Sequence, residues 1–116
     1  MKVRKLVVKI CDVVTRRAAR LAAAGIAGIL KKVGRDGSGG GRRSDKQIMR
    51  RTVVAVEGGL YLNYRMFREY MDEALRDILG EDVAQHVVVK AMEDGSSIGS
   101  ALLLASSQSV QTIPSV

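Results

Sequence analysis

The stretch TVVAVEGG, residues Thr52–Gly59, decides how this sequence is organised. Its first five residues form a short β-branched run, which is typical of a buried strand in a parallel sheet. The Glu57–Gly59 segment that follows predicts a tight turn. A second strand is predicted at Val87–Val89, and the segment between the two strands is long enough for a parallel crossover. The sequence therefore indicates an α/β unit with a small parallel sheet.

A long helix is predicted ahead of the first strand. Apolar residues recur every three or four positions from residue 3 to residue 33, with charged residues filling much of the remainder. Gly34 then provides a natural stop. Residues 18–30 are rich in Ala and Gly, so we expect other elements to approach this half of the helix closely on more than one side.

Two further helices complete the order helix, strand, helix, strand, helix. The first of them is predicted from about Tyr64 to Leu79, and Gly80 ends it. The other is predicted from about Ser97 to Ser107, with Ser96 as its N-cap. The apolar face of the first is formed by Phe67, Tyr70, Met71, Ala74, Leu75 and Ile78.

The single cysteine and the single histidine exclude several classes of site. Cys11 has no second cysteine to pair with, so no intramolecular disulfide can form, and its apolar helical context predicts a buried thiol. His86 precedes the second strand and is interpreted as structural. One Cys and one His assemble neither a zinc site nor a Cys/His nucleophile pair. A reducing compartment follows from this cysteine usage, and we predict a cytoplasmic location.

The formal charge of +7 is distributed unevenly along the 116 residues. Residues 1–51 hold 15 Lys and Arg against 3 Asp and Glu, whereas residues 52–116 hold 4 against 9. Such a split is compatible with an arm that binds nucleic acid or anionic lipid. With only 3% aromatic residues for base stacking, a solvated basic helix face and a Gly-rich loop at residues 35–46 are favoured instead. The apolar stretch Leu21–Leu30 is shorter than the roughly 20 residues of a membrane span. We therefore predict neither nucleic-acid binding nor a transmembrane segment.

Two glycine turns are the best candidates for a ligand site. Glu57–Gly59 and Asp94–Ser96 both follow predicted strands and lead towards helices, so a parallel sheet would place them side by side at its carboxyl edge, where ligands bind. Glycine there lets a ligand approach the main chain, and a helix N-terminus favours anions. Ordinary turn glycines and a capping serine would give the same pattern, so spacing alone leaves both interpretations open. Glu57 and Asp94 could face this cleft, but no apolar pocket is evident that would raise the pKa of either carboxyl group.

Three segments, taken in order, resemble the eukaryotic hexokinases. Asp12–Ile26 (DVVTRRAARLAAAGI) resembles their long helix, with its TR-x-A-x-L-x-A-AG pattern. Val54–Tyr61 (VAVEGGLY) resembles the V-x-V-D-G-[GS]-[LV]-Y adenosine motif of the actin-like ATPase superfamily. Asp94–Leu103 (DGSSIGSALL) resembles the closing D-G-S-G-x-G-A-A-L-L segment. The Gly-Gly-Leu-Tyr form and the tail are similar to those of plant hexokinases.

The resemblance implies a partial actin-like ATPase domain with a ribonuclease H-like fold. Residues 1–107 would form the C-terminal, nucleotide-side portion of the hexokinase large domain, with a loop at 35–46 and a tail at 108–116. The parent would phosphorylate hexoses such as glucose with ATP and Mg. Thr15 and Arg16 would hold the long helix in place. The residues beside the adenosine would be Gly58, Gly59, Leu60, Tyr61, Gly95 and Ser96.

The resemblance also sets expectations for this chain on its own. The catalytic aspartate and the sugar-binding segments of the family have no counterpart in it, so no catalytic residue or metal ligand is assigned and the isolated chain is expected to be inactive. Glu57 stands where the family usually has Asp, and Ser97 where it usually has Gly. These departures support an alternative interpretation, a non-catalytic hexokinase-like regulatory or interaction protein. Two strands with open edges also predict self-association.

Overall fold

The computed structural model describes residues 2–38 and 51–110, which form a mostly helical chain with one small sheet. In chain order the elements are α1 (Lys2–Lys32), β1 (Thr52–Val56), α2 (Gly59–Asn63), α3 (Arg65–Leu79), α4 (Glu81–Ala84), β2 (Val87–Ala91) and α5 (Gly95–Val110). The predicted order of the three long helices and two strands is confirmed. The one-turn helices α2 and α4 lie between the predicted elements, in segments for which no helix was predicted.

Strands β1 and β2 pair in parallel, as the crossover predicted. Their register runs from Thr52 opposite Val87 to Val56 opposite Ala91. The expectation that β1 is buried was wrong for one of its faces, because Val53 is 59% exposed while Val56 packs against the core. From the sheet, Val56 of β1 and Val89 of β2 pack against the helical core.

The hydrophobic core lies between α1 and α3. Five of the six residues predicted for the buried face of α3 are buried, whereas Ile78 is half exposed near the end of that helix. From α1, Ala19 and Ala23 are fully buried against this face, so the two helix backbones can approach closely. Tyr61 of α2 completes the core cluster.

Helix α1 ends as its sequence predicts. Gly34 has φ 73°, a backbone conformation that favours glycine. The amide of Gly34 donates to the carbonyl of Lys31 at 3.1 Å, and that of Arg35 donates to the carbonyl of Leu30 at 2.8 Å. These two bonds form a Schellman motif, which satisfies carbonyls that the helix end leaves unpaired.

Two expectations for α1 were wrong. Its second half is buried along one line only, at Ala19, Ala23, Ala27 and Leu30, while Leu21 is 64% exposed. Cys11 is exposed rather than buried. Both corrections have one cause: periodicity identifies residues that share a helix face, but it does not tell which faces a neighbouring element covers.

The predicted loop and tail lie partly outside the described residues. Of the loop at 35–46, residues 35–38 are described, and there Asp36 accepts hydrogen bonds from the amide of Ser38 at 3.1 Å and from its hydroxyl at 2.6 Å. These bonds lower the pKa of Asp36. Helix α5 extends to Val110, so the first residues of the predicted tail are helical, and residues 111–116 lie outside the description. In the described ranges, no helix combines the length and the hydropathy needed to cross a membrane.

Candidate functional site

The two glycine turns lie side by side, joined by a carboxylate. Glu57 directly follows β1, and one of its carboxylate oxygens, Oε2, accepts two hydrogen bonds from Ser96 in the first turn of α5. The Ser96 amide and hydroxyl each donate to it at 2.5 Å. This contact, called the Glu57–Ser96 bridge below, confirms that the carboxyl ends of the two parallel strands bring both turns to one edge.

Helix α5 begins one residue earlier than Ser96, so the prediction that Ser96 is its N-cap was wrong. The helix runs from Gly95, and its first backbone bond joins the amide of Ile98 to the carbonyl of Asp94 at 3.0 Å. The acceptor for the free Ser96 amide comes instead from Glu57, on the other turn. The negative carboxylate in this position also interacts favourably with the positive N-terminal end of the helix dipole.

The bridge changes the ionisation of Glu57. Hydrogen bonds from the Ser96 hydroxyl and the Ser96 amide, in that order of importance, hold the pKa of Glu57 below its ordinary value, and slight desolvation acts weakly against them. Glu57 is therefore a charged structural acceptor at neutral pH. From the sequence, Glu57 was a turn residue that could face the cleft. Its bond to Ser96 was not predicted, because the two residues lie 39 positions apart in the chain.

The glycines of the two turns have different functions in the geometry. Gly58 has φ 137°, and a Cβ built on it would meet nothing within 4 Å, so its main chain faces open space that a ligand can enter. A Cβ on Gly95 would lie 3.3 Å from Oε2 of Glu57, which is tighter than ordinary contact. Gly58 thus leaves room for a ligand, while Gly95 leaves room for the bridge.

The other predicted site residues after β1 differ in exposure: some lie at the surface beside the turn, and one is buried in the core. Gly59 begins α2, and Leu60 is 51% exposed beside it. Tyr61 turns into the core with 8% exposure, and burial raises its pKa. Its carbonyl accepts a hydrogen bond from Arg68 at 3.1 Å. The Tyr61 ring therefore fixes α2 to the core, and the exposed surface beside the turns comes from the main chain and from Leu60.

The described residues fit the adenosine part of a MgATP site, but they do not form a site for the magnesium ion. Open main chain at Gly58 beside an apolar Leu60 suits the flat, largely apolar face of an adenosine. Across residues 2–38 and 51–110, His, Cys, Asp and Glu side chains do not gather in groups of three that could hold a metal ion. No step through magnesium is assigned to these residues.

Helix α1 is fixed to α3 by polar contacts as well as by packing. The Tyr70 hydroxyl of α3 donates to the carboxylate of Asp12, and the Arg16 guanidinium lies 4.8 Å from the centre of the Tyr70 ring. The Thr15 hydroxyl donates to the Cys11 carbonyl one turn earlier, at 2.7 Å. The Arg16 contact agrees with the role in holding the helix that the resemblance implied for it. The Thr15 bond lies within α1, so the same role for Thr15 stays a prediction.

Comparisons with known proteins agree with the motifs. Residues 1–106 match the family model described as hexokinase. The chain is 80% identical over 113 residues to Hexokinase-3 of Arabidopsis thaliana, covering 94% of the chain and 23% of that protein. It is 64% identical over 106 residues to Hexokinase-3 of Oryza sativa subsp. japonica (90% of the chain and 21% of that protein) and 45% identical over 106 residues to Hexokinase-1 of Spinacia oleracea (91% and 20%).

These relatives are much longer than the matched region. The chain spans about a fifth of the length of each curated relative named above. Within the chain itself, the match to the hexokinase family model extends over residues 1–106, which is nearly its whole length. This chain belongs to the hexokinase family, a family of kinases.

Proposed function

We propose that this chain supplies the adenosine side of the nucleotide site in a hexokinase that transfers a phosphoryl group from MgATP to a hexose. In this proposal the fold is part of an actin-like ATPase domain. The observation that carries it is the Glu57–Ser96 bridge, which joins two segments that each resemble a nucleotide motif of the family. Gly58, Gly59 and Leu60 form one wall of the site, and Gly95 with Ser96 form the other.

The chain's own residues position the nucleotide in this proposal. Phosphoryl transfer depends on placing the reacting groups and stabilising their charge, so a wall that fixes the adenosine contributes by orientation. The Ser96 amide and hydroxyl are already donated to Glu57, which leaves the Ser96 oxygen as an acceptor for a ligand. The Gly58 main chain provides the close approach, since no Cβ intervenes.

A chimera tests the proposal in a complete enzyme. The matching 113-residue segment of Arabidopsis Hexokinase-3 is replaced by that of this chain, and glucose phosphorylation is measured with varied ATP. We expect activity, and we expect Glu57→Ala to raise the KM for ATP several-fold with the KM for glucose unchanged, because the two turns separate. Glu57→Asp, which restores the residue usual in the family, retains the acceptor. Glu73→Ala, an exposed carboxylate on α3, is the matched control and leaves both constants unchanged.

Two results would count against the proposal. Equal effects of Glu57→Ala on ATP and glucose would indicate a general loss of structure. No change in either constant would mean that the bridge does not shape the nucleotide site. The isolated 116-residue chain is expected to show no hexose phosphorylation, and activity in it would contradict the assignment of a partial site.

A second function, that of a non-catalytic hexokinase-like protein, is favoured by one observation. The longer Glu57 side chain spans the turns and takes up both Ser96 donors, while Ser97 adds a side chain to the first turn of α5. If the chimera bound glucose but neither bound nor used MgATP, and Ser97→Gly together with Glu57→Asp restored turnover, this second function would replace the first.

A further inference from the structure

Arg68 of α3 holds the C-terminal end of α2. Its Nη1 donates two hydrogen bonds to main-chain carbonyls of that helix, to Tyr61 at 3.1 Å and to Leu62 at 2.8 Å. The Arg68 side chain is half-buried. Arg65, one turn earlier on the same helix, is exposed and donates to Glu69 of its own helix. Of these two arginines, Arg68 is therefore the one that joins α3 to α2.

Helix α2 depends on contacts from outside itself. It has five residues, and a helix of about one turn is costly to form in isolation. Tyr64 then adopts an extended conformation, with φ −113° and ψ 97°, so the helix stops before a second turn could provide amides for its last carbonyls. The Arg68 guanidinium supplies donors in place of those amides.

The segment Gly58–Leu60, proposed above as one wall of the nucleotide site, lies between two fixed points. At one end the Glu57–Ser96 bridge joins the chain to the first turn of α5. At the other end the Tyr61 ring is buried in the core, and Arg68 binds the carbonyl of the same residue. The side chain between them, Leu60, is 51% exposed and adds little packing of its own. The position of this wall is therefore set at its two ends.

We infer that Arg68 is a positioning residue for the nucleotide, which acts through α2 by keeping the Gly58–Leu60 main chain at the spacing from α5 that an adenosine fits. The adenosine takes no part in the bond changes of phosphoryl transfer, so its wall binds ATP equally before and during the reaction. Loss of Arg68 should therefore weaken ATP binding and leave the chemical step unchanged. The inference rests on the proposed function, because it takes Gly58–Leu60 as part of the nucleotide site.

Arg68→Met in the chimera tests the inference, because methionine keeps an apolar stem and loses both donors. Glucose phosphorylation is measured with varied ATP and with varied glucose. We expect the KM for ATP to rise about three- to tenfold, as removal of such hydrogen bonds predicts, with kcat and the KM for glucose unchanged. Arg68→Lys, which retains a charged donor, should recover part of this loss. Arg65→Met is the matched control and should leave all three constants unchanged.

The kinetic constants separate failure of this inference from failure of the proposed function. An unchanged KM for ATP in Arg68→Met would overturn the inference. If Glu57→Ala raised that constant in the same chimera, the proposed function would stand and only the role of Arg68 would fail. Equal rises in the KM for ATP and the KM for glucose would also overturn the inference, because they indicate a general loss of structure. An equal effect of Arg65→Met would do the same.

Amide hydrogen exchange in the 116-residue chain gives a second measurement that does not depend on activity. The Leu62 amide donates to the carbonyl of Gly58 at 3.1 Å, within the turn of α2. The Gly80 amide donates to the carbonyl of Arg76 at 2.9 Å, at the far end of α3. Arg68→Met should speed exchange at Leu62 several-fold and leave Gly80 unchanged, since α2 can open locally while α3 stays folded. Equal acceleration at both amides, or none at Leu62, would overturn the inference even if the KM for ATP rose.

Discussion

The α1–α3 interface and the Glu57–Ser96 bridge join parts of the chain that are far apart in sequence, but by different physical means. The interface buries small and large apolar side chains such as Ala19, Ala23 and Met71. The bridge consists of two hydrogen bonds to one carboxylate at an exposed edge. Packing of the first kind is sensitive to volume, whereas contacts of the second kind are sensitive to charge and pH. The stability of the fold and the geometry of the site can therefore be altered separately.

The largest expected effect follows from removing volume at the interface. Met71 is 1% exposed, and it is the largest fully buried side chain in the described part of the chain. Met71→Ala leaves a cavity and should lower the free energy of unfolding by about 2–5 kcal/mol, measured by urea denaturation followed by circular dichroism.

Met66→Ala is the matched control on the same helix. Met66 is 37% exposed, and its truncation should change the free energy of unfolding by no more than about 0.5 kcal/mol. Equal losses for the two variants would mean that the α1–α3 packing does not determine the stability of the chain.

The α1–α3 interface could be predicted from the sequence because apolar residues recur at helical spacing in both helices. The bounds of α1, β1 and α3 agree with the prediction to within a residue, and the apolar spacing identified five buried residues of α3. The exposure of Cys11 was not predictable, since the pattern of one helix does not reveal what covers each of its sides. The family resemblance named the segments of the site, but their sequences did not show how they are joined.

The bridge was beyond sequence reasoning for a different reason. Glu57 and Ser96 are 39 residues apart, and neither residue type nor spacing predicts that a carboxylate from one turn will accept the first free amide of a helix at the other. Ser96 was predicted to be the N-cap of the last helix, because serine commonly has that role. The sequence predicted that parallel strands place the two turns side by side, but not the register of β1 and β2 that brings Glu57 within bonding distance of Ser96.

A pH titration should have an intermediate effect, and the Ser96 amide reports its action on the bridge. The hydrogen bonds from Ser96 hold the pKa of Glu57 below the ordinary value of 4.5. A lowered pKa means that the bridge stabilises the folded state fully above the ordinary range and is lost as the pH falls through the lowered value. The chemical shift of the Ser96 amide, observed by proton–nitrogen NMR, should therefore stay constant from neutral pH to below 4.5. It should change on further acidification.

Glu57→Gln controls this titration. The amide oxygen can still accept from Ser96 but does not ionise, so the Ser96 shift should lose its dependence on pH in this range. A wild-type midpoint at or above 4.5 would contradict the bridge as the cause, because an unbonded glutamate titrates there.

The smallest expected effect concerns the polar edge of the α1–α3 interface, which titrates at the other end of the pH scale. The hydrogen bond to Asp12 is the main cause that raises the pKa of Tyr70; burial and the Asp12 charge add to it, and Arg16 opposes it. A raised pKa means that this contact stabilises the folded state below the ordinary tyrosine value and is lost as the pH rises through the raised one. Asp12→Ala should lower the pKa of Tyr70 towards 10.0, measured by tyrosinate absorbance.

Tyr70→Phe assigns that signal, because the chain has three tyrosines and Tyr61 also has a raised pKa. The difference between the wild-type and Tyr70→Phe titrations isolates Tyr70, and its midpoint should move in Asp12→Ala while that of Tyr61 stays. If both midpoints moved together, Asp12→Ala would have loosened the whole interface, and the polar contact would be inseparable from the packing. If only Tyr70 moves, the interface loosens in alkali at one hydrogen bond, just as the site loosens in acid at Glu57. Each of the two regions then has its own titrating contact, whereas the apolar side chains buried between α1 and α3 carry no group that titrates.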